Sequence, residues 1–296
     1  MFGLNLSLTK WFRGMDALKV KEIHILSLGA GVQSTALYLM DLDGDLDDIK
    51  FDYAIFADPG DEPEAVYTHL EWLKQQGGCE IITKSKGCLG DDLVKGENST
   101  GQRFASIPAF TLNPDRGVGQ MRRQCTMEYK IQVVEEAIRR DVLGLKKRQR
   151  IPKDVLIWQY VGFSMDEPGR AARARGRFAQ RGWTDVRFPL IEDQMTRLDC
   201  MNWLEQRVPH ETPRSACVFC PYKSNREWLR LKKAGGNDWA RAVEIDEALR
   251  TEGTVFNRNV DNPMFLHRSC KPLAECHLDE SQLDLFDMEC EGGCGL

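Results

Sequence analysis

The chain has 296 residues, 42 % of them hydrophobic, with 40 Lys and Arg against 45 Asp and Glu and a net charge of −5. That length supports one large or two modest cores, and no apolar run approaches a membrane span. The mild acidity supplies no global attraction to nucleic acid.

Residues 1–20 read as an extension: Phe2, Leu4, Leu6, Leu8, Trp11 and Phe12 are scattered without the core of a signal peptide, so a cytoplasmic location is expected. The run Ile23-His24-Ile25-Leu26-Ser27-Leu28 follows, then Gly29-Ala30-Gly31-Val32-Gln33-Ser34-Thr35 and the apolar pattern Ala36, Leu37, Leu39, Met40. A buried strand, a tight turn and a helix N-terminus are predicted. Glycines let the backbone approach a ligand, and the first helical N–H groups carry partial positive charge, which together favour an anion. The loop is one residue short of a dinucleotide fingerprint, because Ser34 stands where a third Gly or Ala belongs, and no Gly-Lys-Ser/Thr makes it a Walker A loop. An ordinary strand-to-helix turn is the plain alternative.

Phe51 to Asp58 predicts a second strand, ending in Pro59-Gly60-Asp61-Glu62-Pro63-Glu64. A helix over about 65–75 stops at Gly77-Gly78, and Cys79 to Lys84 reads as a third strand. Alternating strands and helices predict an α/β architecture, a doubly wound, mostly parallel sheet with helices on both faces. Ligands bind at the carboxyl ends of such strands, so the glycine loop, Asp58 and Asp61 share one rim. Asp58 is either a turn former or a ligand or metal contact.

Residues 86–120 lack periodicity and read as a long loop. Arg122-Arg123-Gln124-Cys125-Thr126-Met127-Glu128-Tyr129-Lys130 leads into a helix with Ile131, Val134, Ile138 and Val142 on one face. A fourth strand is predicted from Val155 to Phe163, a fifth from Val186 to Ile191, and a helix over about 197–205. Between Arg122 and Arg181 stand 15 Lys and Arg against 7 Asp and Glu. A solvated helical face explains Arg139 to Arg150. Arg170, Arg173, Arg175, Arg177 and Arg181 are denser and suit bidentate recognition of phosphate or sulfate.

The character changes after Pro213. Ten cysteines in a reducing compartment point to metal binding or catalysis rather than to disulfides. Cys79 and Cys200 read as buried small hydrophobes, and Cys88 stays undecided. Cys217-Val218-Phe219-Cys220 has metal-ligand spacing but reads equally as a redox dithiol or half a zinc site. His267, Cys270 and Cys276 lie downstream, and the chain closes on Cys290-Glu291-Gly292-Gly293-Cys294-Gly295-Leu296. The organisation expected is an extension over 1–20, a nucleotide-binding α/β domain over 21–212 and a cysteine-rich region over 213–296.

Four segments in this order resemble the phosphoadenosine-phosphosulfate (PAPS) reductase-like branch of the PP-loop superfamily, across most of residues 22–230. Ser27-Leu28-Gly29-Ala30-Gly31-Val32-Gln33-Ser34 stands where that family has its SxxGGxDS-type loop. Phe56-Ala57-Asp58-Pro59-Gly60 resembles its acidic strand end. Arg123-Gln124-Cys125-Thr126 with Tyr129-Lys130 is similar to its cysteine and basic segment. Gly162-Phe163-Ser164-Met165-Asp166-Glu167 with Arg170 and Arg173 is similar to its Asp-Glu-Ser-x-x-Arg stretch.

The resemblance implies a PP-loop, HUP-like Rossmannoid fold binding an adenine nucleotide (PAPS, adenylyl sulfate or ATP). Ser27, Gly29, Gly31, Gln33, Ser34, Thr35, Asp58 and Lys130 would contact it, and Asp58, Arg170 and Arg173 would act on it. The chemistry implied is sulfonucleotide reduction or sulfur transfer, including ATP-dependent sulfur insertion into a nucleic acid as in DNA-phosphorothioation relatives. A thiol reductant protein is another implied partner; a membrane is not. ATP-cleaving members carry Asp before the loop serine, where this chain has Gln33, so a carboxylate for Mg²⁺ is missing there and only Asp58 remains for it.

Relatives also hold a 4Fe–4S cluster. Carried over, its ligands are Cys125, Cys217, Cys220 and, because Thr126 replaces a second tandem cysteine, Cys270 or else Cys276. Zinc is the alternative metal. Cys294-Gly295 is similar to the tail that carries the reductases' attacking thiolate, although Gly293 replaces its Glu. A metal pair with Cys290 or an inert tail reads as well. Two other classes of function stay open: a metal-stabilised nucleic-acid-binding protein with a decayed nucleotide site, and a dinucleotide-dependent oxidoreductase.

Overall fold

The structure is a computed structural model that describes residues 20–101, 106–113, 115, 117–251 and 262–278. Cys290 and Cys294 lie outside them, as does almost all of the expected extension. In chain order come β1 (Lys21–Ser27), α1 (Val32–Asp43), β2 (Tyr53–Asp58), α2 (Glu64–Lys74), β3 (Glu80–Ser85), α3 (Leu89–Lys95) and the hairpin β4 (Phe110–Asn113) and β5 (Gly117–Gln120). Then follow α4 (Gln132–Ala137), β6 (Val155–Val161), α5 (Pro168–Phe178), β7 (Thr184–Arg187), α6 (Pro189–Glu192) and α7 (Arg197–Glu205). The last elements are α8 (Asn225–Ala234), α9 (Gly236–Ala248) and β8 (Met264–Phe265).

Five strands form one parallel sheet in the order β3-β2-β1-β6-β7. Period-2 alternation divides its side chains between two cores. Ile23, Ile25, Ile55, Ala57 and Ile157 meet Val133, Val134 and Ala137 of α4 on one face. Leu26, Ala54, Phe56 and Tyr160 meet α1, α2 and α7 on the other. Each fully buried Ile, Leu or Phe contributes roughly 1.5–3 kcal/mol, and both faces are covered, as a parallel sheet requires. The expected α/β class with helices on both faces is what the chain adopts.

Pairing sets Ser27 level with Ile55 and Val161, so the first, second and fourth strands of the prediction end on a common rim. Glycine loop and Gly162 meet there. A methyl on Gly162 would stand 3.0 Å from Ser34 N and 3.1 Å from the Gln33 carbonyl carbon.

Two expectations need correction. Residues 86–120 are not one long loop, because they form α3 and the β4–β5 hairpin. These elements are too short to show a period: only Leu89, Gly90 and Leu93 of α3 are buried, and all of β5 is exposed. The fifth strand ends at Arg187 rather than Ile191, because Pro189, which has no N–H to give a ladder, starts a helical turn instead.

Residues after 213 do not pack by themselves. Cys217, Val218, Phe219, Trp228, Ala242, Ile245, Met264 and Leu273 share one core with Leu89, Leu93, Ile107 and Tyr129. β8 extends the hairpin sheet in the order β5-β4-β8. No helix among the described residues is long and apolar enough to cross a membrane.

Candidate functional site

The glycine loop is braced from within. Gly29 N–H donates to Ser34 Oγ at 3.2 Å, and Ser34 Oγ–H donates to the Gly31 carbonyl at 3.3 Å. Gly31 is the N-cap of α1, no side chain caps that terminus, and no acidic residue stands in its first turn. The positive end of a twelve-residue helix is therefore left for an outside anion. Ala30 holds φ 56°, a left-handed conformation that costs an L-residue about 1–2 kcal/mol. Ser27, 4 % exposed, has a hydroxyl with no hydrogen-bond partner among the described residues. An unmet buried hydroxyl costs about 1–3 kcal/mol. It lines a small cavity with Gly29, Ile55, Ala57, Lys130 and Val134.

Three further loop and rim residues are engaged inside the protein. The Gln33 amide donates to Glu167 Oε2 at 3.0 Å and to Ser164 Oγ at 3.4 Å, tying the loop to the Asp-Glu stretch. Thr35 is fully buried, with its hydroxyl 2.9 Å from His69 Nε2. Asp58 Oδ1 accepts from Gly60 N–H and Tyr67 O–H, each at 2.8 Å, which is the turn-forming role. Burial and this bond to Asp58 push the Tyr67 phenol well above its ordinary range.

An arginine cleft of about 260 Å³ opens beside the rim, lined by Arg123, Thr126, Met127, Ile131, Phe163, Arg170, Arg173 and Arg177. Arg170 pairs with Glu167 and lies over the Phe163 ring, 4.6 Å from its centre. Arg123 Nε–H donates to Thr126 Oγ1 at 2.6 Å. Burial, then the neighbouring Arg181 and Arg173, hold the Arg177 guanidinium below its usual pKa. Like charges crowded at a partly buried cleft are relieved by an anion.

A third concavity, between Pro59, Leu89, Ile107 and Phe219, gathers Cys125, Cys217 and Cys220 with Arg123, Thr126 and Lys130. None of these cysteines is in a disulfide. Cys270 is buried but is not among the residues lining this pocket, and burial raises its thiol pKa. Cys276 Sγ donates to the Pro272 carbonyl at 3.4 Å. His267 bonds Asn225 Oδ1 at 2.8 Å and Ser269 Oγ at 2.7 Å, an ordinary hydrogen-bonded histidine. Among the described residues no three His, Cys, Asp or Glu side chains are drawn together as metal ligands. The pocket's lining does contain the donor types of a thiolate-bound group, Cys125, Cys217 and Cys220, together with Arg123 and Lys130.

The three concavities converge on one segment. Arg123 and Thr126 line both the arginine cleft and the cysteine pocket, and Lys130 lines both the cysteine pocket and the glycine-loop cavity. Met127–Ile131, which carries Lys130, is a π-helical turn ahead of α4. π turns within helices are frequent at functional sites, and a second one, Ile138–Val142, follows α4. Lys130 Nζ stands 2.6 Å from Glu62 Oε1, and both side chains are buried.

Sequence reasoning did not find Glu62 as the counter-ion of Lys130, because a pair 68 residues apart leaves no local pattern. It also passed over Ser215, two residues before the CxxC. Cys88 resolves into a structural cluster: its thiol donates to Asp61 Oδ2 at 2.9 Å, and Arg241 Nε binds Asp61 Oδ1 at 2.9 Å. Burial and the hydrogen bond to Asp61 push the Cys88 thiol up to about 11, away from the thiolate form. Asp61 accordingly locks α9 to the sheet end instead of facing a ligand.

His69 is fully buried, with Nδ1 2.8 Å from His210 Nε2. Burial and His210 pull its pKa down to about 4. The unfolded chain therefore takes up a proton near pH 6.5 that the native state refuses until about pH 4. Stability from this site is complete above pH 6.5 and is lost as pH falls toward 4, by ~3 kcal/mol in all. Denaturant melts at pH 7, 5.5 and 4 should show that loss in the wild type and a smaller one in His69→Gln. Equal losses in both would remove His69 as the cause.

Comparisons with protein-family models, with curated proteins and with solved structures found no match to this chain.

Proposed function

We propose that this chain is a PAPS reductase-like PP-loop enzyme. It binds an adenine nucleotide with its phosphate or sulfate groups between the glycine loop and the arginine cleft, and carries out sulfur transfer or sulfonucleotide reduction. The observation that carries this reading is the convergence on Arg123–Lys130, where an anion cradle, an arginine cleft and a three-cysteine pocket meet through shared side chains. Rossmann dehydrogenases need neither the arginine cleft nor the thiols.

In this reading the backbone N–H groups at the start of α1 and the hydroxyl of Ser27 bind phosphoryl oxygens. Arg170, Arg173 and Arg177 hold a sulfate or pyrophosphate, stabilising the charge that develops as it is displaced. Lys130, paired with Glu62, lines both the glycine-loop cavity and the cysteine pocket and so links the phosphate end of the site to the thiols. Cys125, Cys217 and Cys220 would hold an iron–sulfur cluster or, alternatively, zinc, with Cys270 or Cys276, which do not line that pocket, as the fourth thiolate. When bound, a cluster supplies low-potential redox chemistry and zinc supplies structure only. Gln33 brings no carboxylate for Mg²⁺ and its amide is bonded to Glu167, which favours reduction of a sulfonucleotide. Asp58, whose bonds to Gly60 and Tyr67 both fall on Oδ1, is the carboxylate that would hold Mg²⁺ for ATP cleavage. Transfer of sulfur to a nucleic acid is the second outcome of the same site.

Anaerobically purified protein should contain iron and sulfide and show a broad visible absorbance that Cys217→Ala abolishes, and should release sulfite from adenylyl sulfate or PAPS. Stoichiometric zinc in a colourless protein would remove the cluster from this account. Release of pyrophosphate from ATP without sulfite would move the chemistry to ATP-dependent transfer.

A further inference from the structure

The segment that leads into the CxxC passes directly over the glycine loop. A methyl built on Gly31 would stand 3.5 Å from Ser215 N and 3.8 Å from the Pro213 carbonyl oxygen. One built on Gly29 would stand 3.7 Å from Ser34 Oγ and 3.8 Å from Ser215 Oγ. Ser215 is 4 % exposed, and its hydroxyl has no hydrogen-bond partner among the described residues. Ser27 Oγ, on the cavity side of the same loop, is in the same condition. Two buried hydroxyls thus flank Gly29 at the uncapped N-terminus of α1, each with a proton to give.

We infer that Ser215 is a phosphate-binding residue that completes the anion site of the glycine loop. This deepens the proposed nucleotide-binding function and rests on it. Ser215 Oγ–H donates to a phosphoryl oxygen seated on the α1 N–H groups. The segment is held for that task at both ends. Arg214 pairs with Glu227 of α8, and Val218 N–H donates to the Asp61 carbonyl at 2.8 Å. Glu227, although burial works the other way, is kept below the usual carboxylate range by Arg214 and Lys223, so the pair stays charged. Ser215 lies two residues from Cys217, which lines the cysteine pocket, so an anion bound to its hydroxyl is reported to that pocket through the short connecting segment.

The test uses the full chain, with ATP, adenylyl sulfate and inorganic pyrophosphate as titrants and isothermal calorimetry and thermal melts as readouts. Ser215→Ala should weaken binding of all three by about tenfold, the value of one hydrogen bond to a charged group. It should leave the melting temperature without ligand unchanged or raised, since it deletes an unsatisfied hydroxyl, and should shrink the ligand-induced rise. Ser215→Thr, which keeps the hydroxyl, should restore part of the affinity. Ligand should also slow alkylation of Cys217 in the wild type more than in Ser215→Ala.

Equal affinities in wild type and Ser215→Ala would overturn the inference and leave nucleotide binding standing. A lower melting temperature without ligand, with no change in affinity, would make Ser215 a packing residue and overturn it too. A wild type that binds none of the three would overturn the nucleotide reading itself.

Discussion

Glu62→Ala should lower the stability of this protein by ~3–5 kcal/mol, the cost of stranding a buried charge whose counter-ion has been removed. Lys130 and Glu62 are 7 % and 0 % exposed in their side chains, with Nζ 2.6 Å from Oε1. The pair itself is not a large source of stability, because burying both ions costs about what their attraction returns. Replacing both partners, Glu62→Leu with Lys130→Met, should therefore recover most of the loss, whereas Glu62→Gln falls between. Denaturant midpoints of the four proteins decide this. The same logic gives a functional signature. In Glu62→Ala the ammonium needs an anion more than in the wild type, so inorganic pyrophosphate should raise the melting temperature of the variant by more. A Glu62→Ala protein as stable as the wild type would show that Lys130 is solvated or otherwise neutralised.

The second large effect belongs to the arginine cleft. The double substitution Arg173→Ala with Arg177→Ala should cut affinity for adenylyl sulfate about 100-fold, from two charge-assisted hydrogen bonds of ~1.5 kcal/mol each. Without ligand the double variant should be as stable as the wild type or slightly more so. Burial and the nearby Arg181 and Arg173 already hold the Arg177 guanidinium below its ordinary pKa, and removing two charges relieves that crowding. This opposition, weaker binding with undiminished stability, separates a ligand-binding cluster from a structural one. The salt dependence of affinity should also flatten, because the screened attraction is removed. Unchanged affinity in the double variant would place the anion elsewhere.

How much of this was legible in the sequence depends on the range of each interaction. β1, α1 and β2 were readable because unbroken apolar runs and glycines act over a few residues, and they set the rim correctly. The gathering of Arg123, Arg170, Arg173 and Arg177 was foreshadowed by charge density, although that density says nothing of which arginines share a cleft. Side-chain direction was not legible. Gln33 and Thr35 stand in the loop as a nucleotide contact would, yet the turn of α1 aims one at Glu167 and the other into the core at His69. Asp58 likewise spends an oxygen on its own turn. Residues paired across the fold, Glu62 with Lys130 and Ser215 with Gly29, carry no local signal at all. The short elements within 86–120 were missed because seven helical residues and a four-residue exposed strand present no period long enough to read.

The claim at the centre of this account is that the glycine loop and the arginine cleft together bind an adenine nucleotide through its phosphate or sulfate groups. Calorimetric titration of the full wild-type chain with adenylyl sulfate, PAPS, ATP and NAD tests it most directly. Binding of at least one of the first three, with the sulfonucleotides favoured and NAD excluded, is the predicted result. Preference for NAD, or no heat with any of the four, would contradict it.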